Sequence, residues 1–204
     1  MTKKLAMIHL FFVIIAAGIQ YYQLTGPDLI WNMFLALLAL DFAVLAQRIS
    51  AKILKYIFSL AWLFFYPNTF YMLTDIVHMN FVSTVLTDRY SLILYLLYVA
   101  SILFGVFSGV ESVRIMLREF PIKNTWLRWF LISALSFVSS FAIHIGRYAR
   151  LNSWDIVTRP SLVVKELLEV VSWNAVHFVL GFTFLQIMCL IFTDVGNSKK
   201  EIEK

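Results

Sequence analysis

Four side chains between positions 68 and 78 combine types that can do chemistry with a spacing that gathers them. They recur at i, i+3, i+7 and i+10 and are Asn68, Tyr71, Asp75 and His78. On a continuous α-helix, which turns about 100° per residue, this spacing places all four on one narrow face. An amide, a phenol, a carboxylate and an imidazole are all energetically unfavourable in contact with lipid. The stretch 66–78 is therefore predicted to carry the functional site.

Two of these residues form an Asp-x-x-His pair, Asp75 and His78. A carboxylate and a neutral imidazole are half of a zinc site. His144 and His177 are predicted at the same depth on two other helices, so the four together would supply three imidazoles and one carboxylate. Such a set holds a divalent metal, zinc in the first instance, with one position left for an activated water. The alternative is that each polar side chain hydrogen-bonds its neighbours at the interface without a metal.

Two arginines follow His144, and their geometry suits oxyanions. Arg147 lies about one helical turn beyond His144, and with Arg150 it would clamp a phosphate or carboxylate. The alternative is a structural ion pair of Arg147 with Asp75 or Asp155. The predicted catalytic residues are Asp75, His78 and Arg147. The predicted substrate-binding residues are Asn68, Tyr71, Arg150, Asn152, Trp154 and Asp155.

The composition identifies the class of protein that must position these groups. Of the 204 residues, 61% are hydrophobic and only 14% are charged, and the mean hydropathy is +0.80. Soluble proteins average about 45–50% apolar and about 25% charged. The basic residues lie between apolar runs, where they act as topology signals, so the net charge of +5 indicates no nucleic-acid partner. The composition is typical of an integral membrane protein.

Six apolar stretches reach the roughly 20 residues that a hydrocarbon core of about 30 Å requires. They run approximately 5–24, 28–47, 53–78, 90–112, 126–145 and 172–193. No internal repeat or soluble domain interrupts them, and no strand-like alternation competes. The sequence predicts an all-α, polytopic membrane helical bundle that forms a single transmembrane domain over residues 1–204.

The distribution of lysine and arginine orients this bundle. One predicted side carries Lys3, Lys4, Arg48, Lys52, Lys55, Arg114, Arg118, Lys123, Arg128, Lys199, Lys200 and Lys204; the other carries Arg89, Arg147, Arg150, Arg159 and Lys165. The positive-inside rule then places both termini in the cytoplasm. Asp75 lies 20 residues after Lys55, about 30 Å higher on a helix, so the Asp/His/Arg cluster is predicted at the outer face.

The outer connection 146–171 is predicted to end in a short interfacial helix. After Pro160, apolar side chains at Val164, Leu167, Leu168 and Val171 follow helical spacing opposite charged residues. This pattern is typical of an amphipathic helix that lies on a membrane surface. The helix would then precede the last span, with a role as a lid over the outer site.

Other polar and small residues lie inside the spans. Asp41 is an intramembrane acid, and we expect a Ser, Thr or Tyr of a neighbouring span to satisfy it; a proton or cation pathway is the alternative. His9 is expected to pack without a companion. The fourth span carries a small-residue ridge of Ser101, Gly105 and Gly109, and Ser136 with Ser140 forms another, so close helix approach is predicted at both.

The polar motifs resemble those of a known family. Pro67-Asn68 with Tyr71, Thr74-Asp75 and His78, followed by Asn152-Ser153-Trp154-Asp155 and a later His177, is similar to an uncharacterised bacterial multi-pass membrane family catalogued as a domain of unknown function. The resemblance covers most of the chain. It implies a location in the bacterial cytoplasmic membrane, and it implies no activity.

Two functions remain open from the sequence. One is a metal-dependent hydrolase or transferase that acts on a lipid or envelope substrate, with the metal activating water and an arginine binding the anionic group. The other is a non-enzymatic membrane protein that binds a lipid or anion, transports it, or assembles with a partner. Membrane lipids are the expected partners in both.

Overall fold

The computed structural model describes residues 2–24, 26–79, 85, 87–148, 158–169, 173–193 and 195. All regular secondary structure in these residues is helical. The helices are α1 (Thr2–Tyr21), α2 (Leu29–Arg48), α3 (Lys52–Tyr71), a 3-10 helix (Met72–His78), α4 (Arg89–Glu119), α5 (Thr125–Tyr148), α6 (Pro160–Glu169) and α7 (Trp173–Phe192). The predicted all-α class is confirmed.

Five helices among the described residues are long and apolar enough to cross a membrane. They are Lys3–Tyr21, Leu29–Arg48, Arg89–Glu119, Thr125–Tyr148 and Ala175–Phe192. Helix α3 has the length, at 20 residues, but it is not among the five, since lysines at its start and Tyr66, Pro67 and Asn68 near its end lower its hydropathy. The count of six spans and the orientation with both termini in the cytoplasm stay predictions.

The stretch 53–78 is not one continuous α-helix, and this part of the prediction is wrong. Helix α3 ends at Tyr71, with Pro67 inside it, and the chain continues as a 3-10 helix. A 3-10 helix has about 3.0 residues per turn, so residues three apart eclipse each other. Asp75 and His78 therefore stay on one face, but their register with Asn68 and Tyr71 changes at residue 72.

The core forms where α2 packs against α3 and α4. The buried face of α2 is rich in small side chains, including Ala36, Ala39 and Ala43, which are fully buried. Because alanine has a single methyl group, the neighbouring helices approach closely along this face. The core side chains Tyr66, Phe70 and Tyr98 fill the space around it.

The small-residue ridge of α4 faces the end of α3. A Cβ atom at Gly105 would lie 2.8 Å from the Thr69 carbonyl oxygen, and one at Gly109 would overlap the Thr69 side chain. Further along the same contact, the Trp62 indole N–H donates to the Ser112 hydroxyl at 2.9 Å. The close approach predicted for this ridge is confirmed.

The second predicted ridge lies between α5 and α7. The Ser140 hydroxyl donates to the Ser136 carbonyl oxygen at 2.8 Å, and the buried Gln186 side-chain amide of α7 donates to the Ser140 hydroxyl at 2.8 Å. Such bonds hold two apolar helices in one register. Close packing through Ser136 and Ser140 is thus confirmed, with Gln186 as the partner.

Polar contacts at the helix ends fix which termini lie together. Lys4 pairs with Glu111, and Lys55 pairs with Glu119, so the start of α1, the start of α3 and the end of α4 share one end of the bundle. Asn32 of α2 meets Asp75 at the opposite end. The start of α2 therefore lies at the other end of the bundle from the starts of α1 and α3.

Helix α4 begins at this second end with an aspartate cap. The Asp88 carboxylate accepts a hydrogen bond from the Ser91 backbone N–H at 2.7 Å. This donation holds the pKa of the Asp88 carboxyl below its usual range. A capping aspartate also lies favourably beside the positive end of the helix dipole.

The connection before α7 contains the helix that the sequence predicted. Helix α6 runs Pro160–Glu169, so it begins at the predicted proline; Val171 lies outside the described residues. Its placement on the outer surface and its role as a lid stay predictions.

Candidate functional site

A buried carboxylate forms the centre of the candidate site. Asp75 lies in the 3-10 helix and is fully buried. Its Oδ2 atom accepts a hydrogen bond from the Asn32 side-chain amide at 2.9 Å, in the first turn of α2. Its Oδ1 atom has no hydrogen-bond partner among the described residues. A buried carboxylate in this state depends on a nearby cation.

Arg147 supplies that cation from the last turn of α5. Its Nη1 atom lies 3.7 Å from Asp75 Oδ1, and its Nη2 atom lies 2.7 Å from His78 Nε2. A guanidinium can only donate, so Nε2 accepts and the proton of a neutral His78 ring is on Nδ1. The guanidinium is thus held between two residues of one 3-10 turn. Its side chain remains 24% exposed.

Asp75, His78 and Arg147 were predicted to act together, and the structure brings all three into one cluster, which we call the triad. The sequence also allows a structural ion pair between Arg147 and Asp75 as the alternative to a functional arginine. This ion pair is present. The Asp-x-x-His spacing correctly predicts that Asp75 and His78 share a face, because residues i and i+3 are neighbours in a 3-10 helix as well as in an α-helix.

Two of the six predicted substrate-binding residues, Asn68 and Tyr71, lie within the described part of the chain. The Asn68 amide donates to the Phe65 carbonyl oxygen at 3.1 Å, within its own helix. Tyr71 is the last residue of α3, and its carbonyl oxygen accepts the Thr74 hydroxyl at 2.7 Å. The remaining four, Arg150, Asn152, Trp154 and Asp155, lie outside the described residues.

The four predicted metal ligands are not gathered. His144 is buried with its ring stacked on Tyr148, at a centroid distance of 4.5 Å, and edge-on to Phe178 at 5.1 Å. His177 is exposed on α7. Within the described part of the chain, no group of three or more His, Cys, Asp or Glu side chains could hold a metal ion.

The triad itself is also a poor fit for zinc. The Arg147 guanidinium donates to His78 Nε2, so the lone pair of that nitrogen is already used. The same cation lies beside the Asp75 carboxylate. A divalent metal at this point would meet a fixed positive charge within a few ångströms. The predicted zinc site therefore has no support from the residues that the structure brings together.

The sequence predicts a Ser, Thr or Tyr partner for Asp41 and no companion for His9, and both expectations are wrong because the two residues pair with each other. His9 Nε2 lies 3.2 Å from Asp41 Oδ2, which joins α1 to α2. His9 Nδ1 lies 2.9 Å from the Leu5 carbonyl oxygen one turn earlier. Two ionisable groups on apolar helices thus pair with each other.

Asn32 is the site residue that sequence reasoning missed. The signal available was an isolated amide one turn into the second apolar stretch, at the depth predicted for Asp75. Depth does not fix which way a side chain points, so the pairing needed the packing of α2 against the 3-10 helix.

Replacing Asn32 with alanine is expected to reduce the free energy of unfolding by about 1–3 kcal/mol, since the buried Asp75 Oδ2 would lose its donor. Asn68→Ala is the matched control, because that amide serves its own helix. Unfolding of detergent-purified protein by denaturant measures both. Equal losses of unfolding free energy in the two variants would contradict a particular contribution of the Asn32–Asp75 hydrogen bond to stability.

The fold and the triad together define a class of protein. The chain is a helical bundle with several helices apolar enough to cross a membrane, and at one end it carries a buried aspartate paired with a partly exposed arginine, which also bonds a histidine. It belongs to the family described as "Protein of unknown function (DUF1361)", whose family model matches residues 31–189. This match confirms the resemblance to an uncharacterised family, and it spans Asn32 and all of the triad. No curated protein and no solved structure matches the chain.

Proposed function

We propose that the protein binds the anionic group of an amphiphilic molecule, a lipid or an envelope intermediate, through Arg147 at the outer face of the bacterial cytoplasmic membrane. The observation that carries the proposal is the fixation of one guanidinium from two directions, by Asp75 and by His78. A pre-positioned arginine loses little freedom when an oxyanion binds it.

The donors of Arg147 support this role. A guanidinium has five N–H groups in a planar fork. The contacts with Asp75 and His78 engage one terminal nitrogen each, and the side chain is still 24% exposed. An oxyanion that approaches from the exposed side would meet remaining donors in a bidentate geometry.

Among the residues that the structure describes, the arrangement of charge leaves the open side of Arg147 free of a carboxylate. Asp75 neutralises Arg147 only from the buried side, at 3.7 Å. His78, as the acceptor of the Arg147 hydrogen bond, adds no negative charge. The formal charges of Arg147 and Asp75 already cancel, so a lipid phosphate or carboxylate at the open side would be bound by the directed N–H donors of the guanidinium and not by a net positive charge.

The outer location rests on the distribution of basic residues. The triad lies at the opposite end of the bundle from Lys4 and Lys55. Since the larger group of lysines and arginines marks the cytoplasmic side, the triad belongs to the outer side.

Binding is favoured here over metal-dependent hydrolysis or transfer. The hydrolase hypothesis requires Asp75, His78, His144 and His177 around one metal, and the described residues contain no group of three or more such ligands. An arginine held by a carboxylate and an imidazole can bind an anion without any further group, so it accounts for the observed contacts directly.

The test uses inorganic phosphate as the probe on detergent-purified protein. Phosphate at ten times its dissociation constant should stabilise the wild type by about 1.4 kcal/mol, which raises the melting temperature by about 3–6 °C relative to chloride at equal ionic strength. Arg147→Lys keeps the charge but not the fork, and it should lose most of this shift. Lys123→Gln, an exposed residue at the other end, should retain it.

Two outcomes would overturn the proposal. One is an equal phosphate shift in wild type and in Arg147→Lys. The other is about one zinc ion per chain in the purified wild type that is missing from His78→Ala, which would return the metal-dependent hydrolase or transferase to first place.

A further inference from the structure

A groove lies between α1 and α4, at the end of the bundle remote from the triad. It has a volume of about 430 Å³. Its walls are almost entirely apolar, and its larger side chains are Ile8, Phe11, Ile15, Leu103, Phe104 and Phe107. Phe11 and Phe107 are more than half exposed in the isolated chain, so the groove opens laterally toward the surroundings of the bundle.

One end of the groove is charged. Lys4 Nζ lies 2.7 Å from one Glu111 carboxylate oxygen, and Arg114 Nη1 lies 2.6 Å from the other. Arg114 also donates from Nη2 to the Thr193 carbonyl oxygen at 2.9 Å. Two cations share a single carboxylate, so this end keeps a net positive charge. The Lys4 side chain is 57% exposed and has further N–H donors for an anion.

The length of the groove matches one leaflet of a bilayer. Lys4 and Ile15, which mark its two ends on α1, are 11 residues apart and hence about 16 Å apart along the helix. One leaflet of a hydrocarbon core of about 30 Å is about 15 Å deep. An acyl chain that fills the groove therefore brings its headgroup to the charged end.

The apolar walls, the length of one leaflet and the charged end together fit a lipid, with its acyl chain in the groove and its headgroup at the charged end. The charged end selects the headgroup, because a net positive site favours an anionic lipid over a zwitterionic one.

We propose that this groove is a binding site for an anionic phospholipid, which places one acyl chain between α1 and α4 and its phosphate at Lys4 and Arg114. The site lies at the cytoplasmic end, because Lys4 and Arg114 belong to the larger group of basic residues. It is independent of the triad, and it adds a second ligand to the one proposed there. A lipid held here would join α1 to the rest of the bundle along α4.

Native mass spectrometry of the full chain tests the headgroup preference. Equal amounts of phosphatidylglycerol and phosphatidylcholine with identical acyl chains are the probes. The wild type should retain more phosphatidylglycerol, and Lys4→Gln should lower its preference about fivefold, the effect of one cation near a membrane surface. Lys3→Gln, the adjacent lysine outside the groove, is the matched control and should change the preference little.

A second pair of variants tests the groove itself. Ala100→Phe and Leu103→Trp fill the groove from α4 and should reduce the binding of both lipids. Ala17→Phe, at an exposed position of α1 outside the groove, should not. Equal preference for the two lipids in the wild type, or unchanged binding in both groove-filling variants, would overturn the proposal and identify the bound lipid as nonspecific annular lipid. Neither result depends on Arg147, so the two proposals fail separately.

Discussion

Replacing Arg147 with glutamine is expected to lower the free energy of unfolding by about 2–4 kcal/mol. The change removes the cation that lies 3.7 Å from Asp75 Oδ1 and leaves a fully buried carboxylate with Asn32 as its remaining donor. Breaking a buried ion pair from one side costs more than the pair itself contributes, because the partner stays charged and desolvated. The partial exposure of Arg147 keeps the loss below that of a fully enclosed pair.

A double-mutant cycle separates this coupling from general damage. Asp75→Asn removes the buried charge with almost no change of shape, and it is combined with Arg147→Gln. With Asp75→Asn in place there is no buried carboxylate that needs a cation, so the further change Arg147→Gln should cost less. The double variant should therefore be more stable than the sum of the two single effects predicts, by about 1–3 kcal/mol. Denaturant unfolding in detergent measures all four proteins. Additive losses would show that Arg147 acts through His78 or through packing.

The helices were predictable because each depends on local information. Apolar runs of about 20 residues have few other solutions in a membrane, since every backbone group must be bonded within its own segment. The exception is the end of α3, where Tyr66, Pro67 and Asn68 reduce the hydropathy and a 3-10 turn replaces the last α-helical turns. Sequence periodicity assumes one helix type, and it fails where the type changes.

For the site residues, only their depth along the helix axes was predictable from the sequence. The sequence predicts Asp75, His78 and Arg147 at one depth. Opposite charges at one depth tend to form ion pairs, because an isolated ion is energetically unfavourable in an apolar medium. His144 shares that depth, but its ring stacks on Tyr148 and Phe178. Rotation about the helix axis decides between these outcomes, and it is set by packing. The same limit hid the bonds of Asn32 to Asp75 and of His9 to Asp41.

Gly105→Leu is expected to destabilise the bundle by about 3 kcal/mol, whereas the same change at Gly181 is expected to be neutral or stabilising. A Cβ atom at Gly105 would lie 2.7 Å from Met72 Sδ and 2.8 Å from the Thr69 carbonyl oxygen, and the second of these is backbone that cannot move alone. Overpacking of this kind forces the helices apart. At Gly181 no atom lies within 4 Å of the added Cβ, and leucine is the better helix former by up to about 1 kcal/mol.

The Gly105 variant also connects packing to the site. Met72 is the first residue of the 3-10 helix that carries Asp75 and His78, so pushing Met72 away displaces the carboxylate that holds Arg147. Gly105→Leu should therefore lose the phosphate-induced rise in melting temperature along with its stability, while Gly181→Leu keeps both. A Gly105 variant that melts early but retains the full phosphate shift would show that the triad is held by α2 and α5 without help from the contact between α3 and α4.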